Sequence, residues 1–309
     1  MPGAKVQVGR YLLLYSARTY GKINNEMLSE AVLMPELLNP PLRYFSFYVA
    51  VVAGMAALHL SLWALLFGVM LLLMAWLAAR HARRRTWAGL AAICAVLAVC
   101  MNVSYQAMAG AVPAVGAGRI DAELLAIDRW LLGETPAVLL EPWVRPWLTE
   151  LMSLCYIFFM PLLFVSLLRY FFYRRELLGE FYAGLFAVYG LGFLGYLLLS
   201  AGGPCLAYPE LFNIRLDGGV VAEWNRIMVE QGSNRVDAWP SLHSAVSMYI
   251  LGFAWRRQRI EFWGLLLPVL GLWVSTMYLR YHYFADVVSG FGLAAFALFE
   301  SRRYSRIGW

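Results

Sequence analysis

The sequence has few charged residues for its length of 309 residues. Asp, Glu, Lys and Arg together make up 14% of the chain, whereas a soluble domain usually has about 25%. Apolar residues make up 61%, and they recur in runs near the length of about 20 residues at which a helix crosses a bilayer. This composition excludes an ordinary soluble domain and predicts an all-α, polytopic membrane helical bundle.

Cysteine is scarce, and the positive charge is not gathered in one place. Cys94, Cys100 and Cys155 lie within apolar runs and Cys205 lies alone in a connection, so no disulfide framework is expected. The net charge of +6 is distributed in short clusters between apolar runs, and nucleic acid is therefore not an expected partner. No small-residue cleavage site follows the first apolar run, so we expect no cleaved signal peptide.

The apolar runs predict six core spans, preceded by one or two spans near the N-terminus. Residues 1–44 are expected to form an N-terminal interfacial segment. Residues 45–86 would contain one or two spans and a basic cluster, because the run at 45–79 is too long for one upright span and short for two. A core domain at 87–300 and a tail at 301–309 follow. The core spans are expected near 87–110, 149–171, 181–200, 241–255, 262–279 and 284–300.

Two long connections, at 113–147 and 202–239, interrupt the spans. Connections of this length in a compact protein are usually functional. In the first of them, residues 127–133 predict a short amphipathic helix that lies in the membrane interface.

The arginine clusters indicate the orientation of the bundle. If the six spans alternate, clusters at 80–85, 174–175, 256–259 and 302–306 all fall on one face. The positive-inside rule makes this face cytoplasmic. The C-terminus is then expected in the cytoplasm and the two long connections on the opposite, extracytoplasmic face.

Only four histidines occur, and two of them need no function. His59 lies within an apolar run and His81 within a basic cluster. His243 follows Pro240 and Ser241, and Pro240 suits the first turn of a helix that Asp237 or a neighbour would cap. The free N–H groups and the positive dipole at such a helix start favour phosphate binding, to which the Ser241 hydroxyl would add a donor.

His282 and Asp286 are four residues apart, a spacing that places them on one face of a helix. A carboxylate on one imidazole nitrogen fixes the tautomer and leaves the other nitrogen as a nucleophile or base. The alternative is a pair that only ties helices together. Because two spans separate His243 from His282, we expect both histidines at the same extracytoplasmic face.

Together these segments resemble the type 2 phosphatidic acid phosphatase superfamily. The resemblance rests on Pro240 to His243, followed across two spans by His282 and Asp286, and covers about residues 87–300. It implies that His282 attacks phosphorus, that Asp286 orients it and that His243 protonates the leaving group.

Two further segments resemble the branch of this superfamily that contains fungal inositol phosphorylceramide synthase. They are the Tyr-Leu-x-x-His-Tyr-x-x-Asp pattern from Tyr278 to Asp286, and residues 121–133 with Ile-Asp-Arg-Trp-Leu-Leu-Gly, which are similar to bacterial members. The resemblance implies a lipid phosphotransferase.

The chain departs from the phosphatase branch where that branch carries positive charge. Thr276 occupies the position of an arginine six residues before the nucleophile, and Val138 occupies the position of a lysine. Catalysis of phosphoryl transfer depends on positioning and charge stabilisation. The predicted substrate-binding residues are therefore Ser241, Arg280, Arg235 and Arg226.

The sequence thus predicts a lipid phosphotransferase that moves a phosphate-containing head group from a phospholipid to an alcohol, without a metal or other cofactor. A lipid phosphate or polyprenyl diphosphate phosphatase with the same three residues is the first alternative. A metal-dependent hydrolase using His243, His282 and Asp286 as ligands and a transporter are the others. The expected location is the bacterial inner membrane, with the active site on the periplasmic face.

Overall fold

The computed structural model describes residues 87–115 and 118–307, together with scattered positions between 49 and 76. The predicted interfacial segment at 1–44 lies outside the described residues, as does nearly all of the predicted span or spans at 45–86.

The described residues form an all-α bundle, which confirms the predicted fold class. No strand forms among them, and their only β pairings are two isolated bridges. The helices are α1 (Trp87–Val115), α2 (Asp121–Leu132), α3 (Pro136–Leu139), α4 (Pro146–Ile157), α5 (Phe159–Leu168), α6 (Leu178–Leu198), α7 (Pro204–Ala207), α8 (Val220–Gly232), α9 (Leu242–Arg257), α10 (Arg259–Tyr278) and α11 (Phe284–Ile307).

Five segments of the described chain are long and apolar enough to cross a membrane, so the protein is a multi-pass membrane protein. They match five of the six predicted core spans: Cys94–Pro113, Pro146–Tyr173, Arg175–Leu198, Arg259–Tyr278 and Phe284–Tyr304. The sixth, predicted at 241–255, is α9, a helix of 16 residues. At 1.5 Å per residue α9 is roughly 24 Å long, shorter than a hydrocarbon core of about 30 Å.

Helix α6 forms the centre of the bundle. It is buried along nearly its whole length and packs against α1, α9 and α11. By contrast, α5 and α10 expose large apolar side chains on their outer surfaces, among them Phe164, Val165 and Leu267. Exposed apolar side chains of this size on membrane-length helices are suited to lipid rather than water.

Both long connections fold into helices that lie against the bundle. The predicted amphipathic helix is observed as α2, which buries Leu124, Leu125 and two aspartates and exposes Trp130. The second connection contains α8, whose first backbone N–H groups donate to the carboxylate of Glu150 on α4. The Glu150 contacts tie α8 to α4, and α2 packs against α11, the helix that follows His282.

Candidate active site

His243, His282 and Asp286 form a hydrogen-bonded chain. The Nδ1 of His243 lies 3.2 Å from the Nε2 of His282, and the Nδ1 of His282 lies 3.1 Å from Oδ1 of Asp286. The structure therefore brings together the three residues that the sequence predicts to be catalytic. Their chemical roles are not tested by this geometry and stay predictions.

The order of the three residues in this hydrogen-bonded chain determines which ring nitrogens carry protons when both histidines are neutral. A carboxylate can only accept, so His282 donates its Nδ1–H to Asp286 and leaves the lone pair of Nε2 available. The Nδ1–H of His243 then donates to that lone pair. An unprotonated nitrogen thus faces an N–H donor, the pairing required of a nucleophile and a general acid.

His282 is buried, with 4% of its surface exposed. Burial is the largest single effect and lowers the pKa of His282, but the charge of Asp286, its hydrogen bond and two smaller effects together outweigh it, so the pKa lies above the ordinary value. Asp237 and the backbone of Ala238 act in the same direction. The segment that leads into α9 therefore lies beside His282.

The start of α9 differs in detail from the sequence prediction. Ser241, not Asp237, is the N-cap, because its Oγ accepts from the backbone N–H of Ser244. Pro240 precedes the helix and does not lie in its first turn. Asp237 instead accepts hydrogen bonds from Tyr105 and Ser233. A serine cap satisfies a donor locally, which leaves Asp237 to tie the preceding segment to α1.

A close contact between α9 and α11 brings the two histidines together. The backbone N–H of Ser241 donates to the carbonyl of Asp286. Nearby, a Cβ added at Gly290 would meet the carbonyl oxygen of Ser241 at 2.5 Å and the Cβ of Ser244 at 3.1 Å. Only glycine permits this approach of the two backbones.

Sequence reasoning missed two buried aspartates on α2 that hold the His282 segment. Asp128 accepts hydrogen bonds from the backbone N–H groups of Phe284 and Ala285 and from the hydroxyl of Thr135. It thereby caps α11 from another helix. The only sequence signal was that Asp128 lies inside the segment resembling bacterial relatives.

Asp121 binds the other side of the same segment. It accepts from the backbone N–H groups of Gly202 and Gly203, from the Tyr283 hydroxyl and from Arg119. Gly203 has a φ of +83°, and a Cβ there would lie 2.1 Å from the carbonyl oxygen of Tyr281. The Gly203 position thus requires glycine, and its backbone packs directly against Tyr281, the residue before His282.

The family follows from a comparison with known proteins. A model of the PAP2 superfamily matches residues 122–299, which is more than half of the chain. The chain belongs to the PAP2 superfamily. This match covers all three residues of the hydrogen-bonded chain. It makes the protein a phosphatase or phosphotransferase enzyme, while the synthase-like branch stays a prediction.

Neither a comparison with curated proteins nor one with solved structures gave a match. Within the PAP2 superfamily, activity on lipid phosphates at a membrane agrees with the apolar helices of this chain.

Aromatic side chains of the PAP2 core enclose His243. The rings of Tyr156 and Phe159 lie 4.8 and 4.6 Å from its ring, and Tyr281 packs 4.9 Å from Tyr156. Above Tyr281, Asn225 of α8 donates from Nδ2 to the Tyr281 hydroxyl. The Oδ1 of Asn225 is buried and has no hydrogen-bond partner among the described residues. A buried amide oxygen without a partner requires an explanation.

Arg280, a predicted substrate-binding residue, is directed away from the two histidines. Its φ is +69°, and its guanidinium contacts Glu141 and the carbonyl of Ile214 and lies 4.1 Å from the Phe212 ring. Its buried Nε has no partner among the described residues. Arg280 therefore ties the segment that contains His282 to the two long connections.

The other predicted phosphate ligands occupy different environments. Arg226 lies on the exposed face of α8 and pairs with Glu223 and Glu230. Ser241 is fully buried as the α9 cap. Arg235 is exposed in the segment before α9, and within the described part of the chain its side chain has no carboxylate partner. Arg235 is thus the predicted arginine with a charge still available near the helix start.

The three central residues form a line and do not converge on one point. His282 uses Nδ1 toward Asp286 and Nε2 toward His243. In the described residues, no group of three or more His, Cys, Asp or Glu side chains is placed to hold a metal ion.

Proposed function

We propose that this PAP2 enzyme is a lipid phosphotransferase that works through a phospho-histidine at His282. In this proposal a phosphate-containing head group moves from a phospholipid donor to an alcohol acceptor. The observation that carries the proposal is the chain Asp286–His282–His243, in which an unprotonated Nε2 faces an N–H donor 3.2 Å away.

The first step opens the contact between the two histidines. The phosphate enters beside the start of α9, where free N–H groups and the helix dipole attract it, and the exposed Arg235 in the preceding segment supplies a cation. Nε2 of His282 attacks phosphorus, the bond from phosphorus to the leaving oxygen breaks, and His243 gives its Nδ1 proton to that oxygen. Asp286 stabilises the positive charge on the His282 ring.

The second step reverses the roles. The Nδ1 of His243, now unprotonated, accepts the proton of an incoming hydroxyl, whose oxygen attacks phosphorus. The N–P bond breaks and its electron pair returns to Nε2 of His282. An alcohol acceptor gives a new phosphodiester, whereas water gives hydrolysis.

Transfer is favoured over hydrolysis by the enclosure of the site. The His282 side chain is buried, and the rings of Tyr156 and Phe159 lie against His243, which restricts water. The buried Oδ1 of Asn225 lacks a partner and would accept a hydrogen bond from a hydroxyl of a bound head group or acceptor. Thr276 also occupies the position at which the phosphatase branch has an arginine, which favours the transferase branch. The backbone oxygen of Thr276 accepts hydrogen bonds from the N–H groups of Tyr281 and His282.

The phosphatase remains the second candidate, because the three central residues serve both outcomes. The test supplies purified enzyme with a phospholipid donor, with and without a long-chain alcohol such as a sphingoid or polyprenyl alcohol. Transfer predicts a new phosphodiester that depends on the alcohol. Rapid release of phosphate from a lipid phosphomonoester, unaffected by any alcohol, would identify a phosphatase. Activity lost to a chelator and restored by zinc would favour the metal-dependent alternative.

The active site is proposed to lie on the extracytoplasmic face and the C-terminus in the cytoplasm. Among the described residues, the arginine clusters at 174–175, 256–259 and 302–306 lie at the helix ends opposite the histidines, and the positive-inside rule makes that face cytoplasmic. Tags inserted at Arg174 and Arg257 should be inaccessible from outside intact cells, and a tag at Gly218 accessible. The reverse pattern would contradict this orientation.

A further inference from the structure

A basic cavity lies at the end of the bundle opposite the histidines. Its volume is about 370 Å³, and it is lined by Trp255, Arg256, Arg257, Arg259 and Arg302. These residues come from the end of α9, the start of α10 and the last turns of α11. Along α9 the rise from His243 to Arg256 is roughly 20 Å at 1.5 Å per residue, so the cavity is separate from the catalytic centre.

The cavity carries an excess of positive charge. One buried carboxylate, that of Glu180, pairs with Arg256 and Arg257 and directs them toward this end of the bundle. Arg259 stacks on Trp255, with its guanidinium carbon 3.4 Å from the ring centroid. Within the described residues, no carboxylate lies within ion-pair distance of Arg259 or Arg302. Among the described residues, four guanidinium groups thus line this open space, and the carboxylate of Glu180 pairs with two of them.

An apolar cleft adjoins the basic cavity. Its volume is about 250 Å³, and it shares Trp255, Arg256 and Arg302 with the cavity. The rest of its lining comes from Met248, Leu251, Gly252, Phe262 and Leu298 on α9, α10 and α11. A charged space that continues into an apolar cleft between membrane helices matches an amphiphile with an anionic head and an acyl chain.

We propose that the cavity and the cleft together bind an intact anionic phospholipid, with its phosphate among the arginines and an acyl chain along Met248, Phe262 and Leu298. Guanidinium groups bind phosphate oxygens through paired hydrogen bonds. Free phosphate has no acyl chain to fill the apolar cleft, so the cleft favours an intact phospholipid over free phosphate. Because the site is remote from His282, the bound lipid stabilises the ends of α9, α10 and α11 and is not turned over there.

The test is native mass spectrometry of the purified full chain in a neutral detergent, titrated with dioleoylphosphatidylglycerol or dioleoylphosphatidylcholine. The wild-type protein should retain the anionic lipid at least about tenfold more tightly. Replacing Arg259 and Arg302 together with Gln should weaken that binding about 10- to 30-fold. Excess inorganic phosphate should not displace the lipid.

Arg303→Gln is the matched control, because Arg303 is adjacent in sequence, exposed and paired with Glu300, and does not line the cavity. It should bind the anionic lipid as the wild type does. Equal retention of the two lipids, displacement by phosphate, or an equal loss in Arg303→Gln would overturn the proposal. If the double variant fails to fold, the single variant Arg302→Gln is measured in its place, since it alters only an exposed side chain. It should also bind the anionic lipid more weakly than the wild type, and unchanged binding would overturn the proposal.

Discussion

The carboxylate of Asp128 accepts a 2.9 Å hydrogen bond from the backbone N–H of Ala285, the residue directly before Asp286. Asp128 is fully buried, and its other oxygen binds Phe284. An acidic side chain from α2 thus satisfies the first donors of α11 and carries the negative charge favoured at a helix start. The orientation of the His282–Asp286 pair therefore depends on a helix from a different part of the chain.

Replacing Asp128 with Ala should lower turnover at least about tenfold and the free energy of unfolding by about 1–3 kcal/mol, because two partly buried backbone N–H groups and the buried Thr135 hydroxyl lose their acceptor. Activity and thermal unfolding of the purified variant measure both effects. Asp128→Asn keeps one acceptor oxygen and should fall between Ala and the wild type.

Glu123→Ala is the control for this experiment, since Glu123 is an exposed acid on the same helix. It should leave turnover and unfolding within error of the wild type. An Asp128→Ala enzyme that behaves like Glu123→Ala would remove the positioning role of Asp128.

Gly290→Ala should reduce both activity and melting temperature. Its Cβ would meet the Ser241 carbonyl oxygen at 2.5 Å, and since this atom is backbone, α9 and α11 must separate and draw His243 away from His282. Gly292→Ala, two residues along the same helix, meets nothing within 4 Å and should be neutral or slightly stabilising. Equal activity in the two variants would contradict the close approach.

The meeting of His243, His282 and Asp286 could be predicted because it depends on two local rules. A spacing of four residues places His282 and Asp286 on one helical face, and the two intervening helices, α9 and α10, return the chain to the same end of the bundle. These rules require only the apolar pattern and the order of the motifs.

The surroundings of the site could not be predicted in the same way. Asp128 contacts Phe284 and Ala285, which lie 156 and 157 positions further along the chain. The local sequence pattern of α2 does not indicate a contact with these residues. Arg280 is two residues from His282, but its positive φ and its contacts with Glu141 and Ile214 direct the guanidinium elsewhere. Proximity in sequence does not give the direction of a side chain.

The activity of the wild-type enzyme should fall as the pH falls through the pKa of His282. This pKa is held above the ordinary value, mainly by Asp286 against the opposing effect of burial, and protonated His282 has no lone pair for attack. Asp286→Asn should therefore move the acidic limb of the pH profile of kcat/KM to lower pH. The same variant should lower the rate by roughly 10²- to 10⁴-fold, because the tautomer is no longer fixed. If the acidic limb does not move in Asp286→Asn, the group that titrates there is not His282.

Asn225→Ala should lower kcat/KM by about 3- to 10-fold for a substrate with a hydroxylated head group, because one hydrogen bond to a neutral group is lost. For a choline head group, which has no hydroxyl, the change should be smaller. Gln231→Ala removes an exposed amide from the same helix and is the matched control. Equal losses for both head groups would assign Asn225 only the structural role of anchoring α8 to Tyr281.

The most direct test of the central claim is the detection of a phosphorylated histidine. Purified enzyme is incubated briefly with a donor labelled in its phosphate. The reaction is quenched in alkali, because phospho-histidine is stable there, and the protein is digested for mass spectrometry. The account predicts a label on His282 that disappears when an alcohol acceptor is added, and at least about a 10³-fold loss of turnover with no label in His282→Ala. His81→Ala should be labelled like the wild type. Ordinary turnover by purified His282→Ala, or a label on any other residue, would contradict the account.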